Sequence, residues 1–183
     1  AMVIGMFMAI LDIQIVASSI AEIQAGVSAS ADEPKPIAAE PLTQRHTFDG
    51  DVAIKISQDL KGLPEQVITF DDASHLTVVR FTIQPGAVFP WHTHPGTVLI
   101  TVTEGDFVFT FAEDWVDREY GPGDALVDPG DTVHTTLNPS SNQETEVVAV
   151  LLGAPAEGAL TIPVTEERNA ALDAKCGIER NAG

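Results

Sequence analysis

At 183 residues, 44% of them hydrophobic and 20% charged, the chain has room for one domain of ordinary size with a real core. Its 27 acidic against 9 basic side chains give a net charge of −18, which disfavours nucleic acid and anionic membrane surfaces, since both need Lys and Arg to displace counterions. A lone cysteine, Cys176, rules out an intramolecular disulfide and a cysteine-built zinc cage.

Residues 1–31 stand apart. Met2 to Leu11 (MVIGMFMAIL) is uncharged and almost wholly apolar, yet ten such residues are too few to span a bilayer. Counting on to Ile23 reaches spanning length, but places Asp12 near the middle, where a carboxylate is costly. Ala29-Ser30-Ala31 has the small residues of a signal-peptide cleavage site, while no Lys or Arg precedes Lys35 to make the positive n-region. The stretch "GMFMAILDIQIVASSIAEIQAGVSASADE" resembles the first transmembrane helix of multidrug exporters of the major facilitator superfamily. Nothing afterwards supplies further spans, so the resemblance does not imply transport. A fusion or borrowed start, a one-helix anchor and a signal-like segment all stay open. With an authentic segment the protein is expected outside the cytoplasm or anchored at a membrane; otherwise it is cytoplasmic.

Residues 32–45, with three prolines, read as an extended linker. From there the periodicity changes to two, and a domain is expected over 46–165 with a tail at 166–183. Strands are predicted at 51–58, 66–70, 75–83, 97–103, 106–112, 125–129, 132–138 and 146–152, rich in β-branched and aromatic residues. Turn signals separate them, among them Pro85-Gly86, Glu104-Gly105-Asp106, Gly121-Pro122-Gly123 and Pro129-Gly130. Short strands at this spacing predict an all-β sandwich or small barrel. Only 165–176 (TEERNAALDAKC) suggests a short late helix.

Chemistry concentrates in "FPWHTHPGTVLITVTEG", residues 89–105. On a strand, residues two apart face the same side, so His92 and His94 project together and can share one ion. A second segment, "GPGDALVDPGDTVHTTLN", places His134 after two tight turns, with Asn138 four residues on. Asp128, just before Pro129, reads as capping its own turn or orienting a histidine. Glu104 sits at a hairpin apex, His46 borders the linker and His75 opens a strand; all three read as surface residues. Tyr120, beside a Gly-Pro turn, reads as packing or as a proton donor.

These segments resemble the two motifs of the cupins. Gly86, His92, His94 and Gly105 fall on the first motif's spacing; Gly123, Pro129, His134 and Asn138 fall on the second's, with Gly130 one place early. The resemblance covers about residues 66–152. It implies a cupin double-stranded β-helix (jelly-roll) barrel with His92, His94 and His134 as metal ligands; the N-terminal hydrophobic segment, whose pattern reads helical, lies outside the resemblance. The motif's glutamate belongs at 98 or 99, where this chain has Val98 and Leu99. Three neutral imidazoles then hold one divalent transition metal ion, with Fe(II) preferred and Zn, Ni, Mn or Cu as alternatives. A three-histidine iron site resembles those of cupin dioxygenases. A zinc ion with bound water would instead permit hydrolysis or hydration.

The expected function is therefore a small metalloenzyme, of the Fe(II) dioxygenase (oxidoreductase) kind, acting on a small oxygenated and largely apolar molecule. Trp91, Val98, Ile100 and Phe109 are candidate pocket walls, though the same stripe reads as barrel core. A cupin that binds or senses a small ligand without turnover is the alternative from another class; a metal-free epimerase-like cupin with a histidine base is a third. The resemblance also implies a homodimer. The expected partner is a small molecule, with no nucleic acid, and with a membrane only if residues 1–31 act as an anchor.

Overall fold

The computed structural model describes residues 37–178 apart from 62, 71, 72 and 74. The hydrophobic segment 1–31, with its helical reading and exporter resemblance, lies outside the described residues. Among the described residues no helix is long and apolar enough to cross a membrane.

Two antiparallel sheets share one core. The first runs β1 (Ile37–Pro41), β5 (His75–Ile83), β12 (Thr145–Leu152), β7 (Val98–Glu104), β10 (Ala125–Asp128), with β2 (His46–Thr47) also paired to β5. The second runs β13 (Ile162–Pro163), β6 (His92–Thr93), β11 (His134–Leu137), β8 (Phe107–Phe111), β9 (Asp117–Tyr120). A separate hairpin joins β3 (Ile54–Gln58) to β4 (Gln66–Phe70). The period-two pattern becomes burial directly. In β7 the side chains of Val98, Ile100 and Val102 are buried while Leu99, Thr101 and Thr103 face out. Val147, Ala149 and Leu151 of β12 and Phe107, Phe109 and Phe111 of β8 meet them in a single cluster. Each such aliphatic or aromatic side chain contributes roughly 1.5–3 kcal/mol on full burial.

One departure from the sequence reading concerns an edge. Ile37–Pro41, inside the expected linker, is extended but paired: it aligns with Val79–Ile83 of β5 and buries Ile37. Proline is tolerated there because β1 is an edge strand, where a missing N–H breaks no inner ladder. The short late helix suggested at 165–176 is present as α1 (Glu166–Cys176), at the start of the expected tail, and residues 179–183 lie outside the described residues. Thr165 caps α1 by accepting from the Arg168 N–H, two glutamates fill the first turn, and Gly177 closes it in the left-handed region. Its side chains reach the barrel: Asn169 Oδ1 accepts from the Trp91 backbone N–H at 2.9 Å, and Asp173 Oδ1 from the indole at 2.8 Å.

Candidate metal centre

His92 and His134 come from far apart in sequence but are direct partners across the β6–β11 pair. His94 follows β6 by one residue, and its backbone N–H donates to Gly130 O at 2.6 Å. The three side chains can each offer one nitrogen, and these nitrogens lie within 4.8 Å of one another. The ring centroids of His92 and His134 are 4.2 Å apart, and Phe109 stacks on His134 at 4.7 Å.

Orientation decides whether those nitrogens can bind an ion. The Nδ1 atoms of His92, His94 and His134 lie 2.6, 2.6 and 2.9 Å from the carbonyl oxygens of Pro90, Leu160 and Thr132. A carbonyl oxygen only accepts, so in each ring Nδ1 carries the hydrogen and donates it. Nε2 is then the acceptor nitrogen of each such ring, with its direction fixed by the backbone. Burial favours the neutral form of His94 and His134. It lowers His94, against the opposing pull of Asp128, and pushes His134 down to about 4.

Asp128 stands beside them. The Asp128 Oδ2 lies 3.3 Å from His134 Nε2 and 3.5 Å from His94 Nε2. With neutral rings these contacts are not ion pairs, and Oδ2 is a buried oxygen with no hydrogen-bond donor. Its other oxygen, Oδ1, accepts from the Gly130 N–H at 2.8 Å, closing the turn as the sequence suggests. Burial first, and the nearby Asp131 after it, push the Asp128 carboxyl up to about 6, against His94 and the Gly130 N–H. An orphaned buried oxygen beside two free lone pairs repels them unless a cation or proton lies between, so these residues fit a metal ion.

The other candidates divide between core and surface. Val98, Ile100 and Phe109 belong to the shared core. Trp91 is fully buried, and its indole meets Asp173 and the Trp115 ring. Asn138 is buried and satisfied, donating to Ile83 O and Gln143 O while accepting from the Ser140 N–H, so it organises a turn. Glu104 is exposed at the end of β7. His75 is half-buried at the start of β5, and His46 lies in β2. Tyr120 lines an open groove of about 390 Å³ with Phe107 and Pro139, a groove whose lining includes none of the three histidines. Sequence reasoning could not foresee the three carbonyls that orient the rings, because backbone groups leave no residue-type signal.

The cupin domain family matches residues 79–151, the span that contains both histidine segments. That match supports a cupin domain over residues 79–151. Its two sheets and shared core are the β-barrel of that fold. Among similar solved structures is the polyketide cyclase RemF from Streptomyces resistomycificus, at 17% identity over 83% of this cupin and 89% of that chain, with a TM-score of 0.49. The DMSP lyase DddQ from Ruegeria pomeroyi is 16% identical over 76% of this cupin and 57% of its own chain, with a TM-score of 0.49. A double-stranded β-helix protein from Klebsiella pneumoniae is 16% identical over 73% and 89% of the two chains, with a TM-score of 0.46. No curated protein matches this cupin.

Proposed function

We propose that this cupin is a small metalloenzyme of the Fe(II) dioxygenase type, acting on a small, oxygenated and largely apolar molecule. The observation that supports this reading is the tethering of all three Nδ1 atoms, which leaves Nε2 as the acceptor nitrogen of each ring in a cluster whose possible ligand atoms lie within 4.8 Å of one another. Imidazole nitrogens suit Fe, Zn, Ni or Cu better than Mg or Ca. An Fe(II) ion held there would polarise a substrate oxygen and bring redox chemistry. The protein's part is to hold the rings rigid. His92 is fixed by its own strand, His134 by the turn before β11, and His94 by the segment that leads into β13. Phe109, stacked on His134, keeps one side of the centre apolar and dry. In this proposal Val98 and Ile100 add to that apolar wall, and Trp91 braces β6 from the α1 side.

Oxygen uptake by the Fe(II)-loaded protein, screened against small oxygenated aromatic and aliphatic compounds, tests the reading. Uptake that needs both iron and one compound class, and that His134→Ala abolishes, is expected. Iron that binds fully without oxygen consumption across the screen would leave the cupin a binding or sensing module and refute the oxygenase.

A further inference from the structure

The carboxylate missing from position 98 has a spatial substitute. Val98 and Asp128 are Cα partners across the β7–β10 pair, thirty residues apart in sequence. Val98 points into the barrel, and Asp128 shares the inner face of β10 with Leu126, which packs against the core. The strand that lacks the acid therefore lies directly against one that carries it. We propose that Asp128 is the fourth metal ligand of this cupin, binding through Oδ2 from β10.

Three observations carry the proposal. Oδ2 lies 3.3 Å from His134 Nε2 and 3.5 Å from His94 Nε2. Donors held around one ion by bonds of about 2.0–2.2 Å sit about 3.0–3.5 Å apart. Oδ2 is also buried without a donor. The neighbouring rings cannot supply one, since each spends its single hydrogen on a backbone carbonyl. Finally, the Gly130 N–H holds Oδ1 to close the turn, which leaves Oδ2 beside His94 and His134. A carboxylate here leaves a divalent ion and three neutral imidazoles with one net positive charge rather than two.

This inference rests on the metal reading above, and the experiment keeps the two apart. The full chain is loaded with Zn(II) and crystallised, its affinity is measured by competition with a chromophoric chelator, and its Co(II) form is followed by visible absorption. Asp128→Asn retains the oxygen that closes the turn but loses the charge; Asp128→Glu retains the charge. The expected result is an Oδ2–Zn distance of about 2.0–2.2 Å. Zn(II) affinity should fall at least tenfold in Asp128→Asn, with a changed Co(II) spectrum, and Asp128→Glu should recover part of it. Two results would overturn the proposal while leaving a three-histidine site intact. One is a bound zinc ion with Oδ2 beyond hydrogen-bond reach or behind a bridging water. The other is an Asp128→Asn protein with wild-type affinity and spectrum. A wild-type chain that takes up neither Zn(II) nor Co(II) would overturn the metal reading and this inference together.

Discussion

His134 links the centre to pH because burial, against the opposing pull of the Thr132 carbonyl, leaves it with a value of about 4, against 6.5 for an ordinary histidine. Above pH 6.5 neither the folded nor the unfolded metal-free chain protonates this residue, and nothing is lost. As pH falls from 6.5 to about 4, the unfolded chain gains a proton that the folded one refuses. That window costs on the order of 3 kcal/mol of stability. Asp128 acts in the opposite sense. Its folded value of about 6 lies above the usual 3.8, so the folded chain takes up the proton first and regains stability as pH falls through 6 toward 3.8. In the metal-free protein, His134→Gln should therefore flatten the acid loss of stability between pH 6.5 and 4, and Asp128→Asn should steepen it. Urea midpoints across that range check this; three parallel profiles would mean neither group titrates as its burial implies.

The turn between β10 and β11 binds the centre together. Gly130 accepts from the His94 N–H, donates to Asp128 and has φ of 96°. A Cβ on it would lie 2.2 Å from Gly96 O. Gly130→Ala should thus combine backbone strain with a clash between two main chains, costing about 2–4 kcal/mol. It should also lower metal affinity by displacing His94 and Asp128. Gly123→Ala is the control, since its φ is 93° but a Cβ there meets nothing within 4 Å. It should cost about 1 kcal/mol and leave metal binding unchanged, as read by melting temperature and metal titration. Equal effects of the two would mean the close approach of Gly130 to Gly96 is unimportant. At this scale the strands carrying the histidines were legible, because period-two alternation and Gly-Pro turns are local signals. His92, His94 and His134 could be placed together from spacing and resemblance. The facing of Asp128 could not, since it depends on the β7–β10 register, a pairing thirty residues apart that neither strand's composition reveals. The strand Ile37–Pro41 was hidden for a different reason: Pro41 signals a break, and only the strand's edge position makes it harmless.

At the scale of the whole molecule, every group placed at the centre lies between residues 90 and 160. Deleting residues 1–31 should then leave metal content and β-sheet circular dichroism unchanged; loss of either would assign that segment to the domain. The resemblance to cupins carries the expectation of a homodimer, checked by light scattering at micromolar concentration. A monomer there would remove the expectation. The central claim is that His92, His94 and His134 hold a single transition metal ion. Elemental analysis of the chain purified without a polyhistidine tag, before and after reconstitution with Fe, Zn, Ni or Mn, tests it most directly. About one metal ion per chain is predicted, falling to near zero in His134→Ala that retains its β-sheet spectrum. Wild-type protein that stays metal-free after every reconstitution would contradict it.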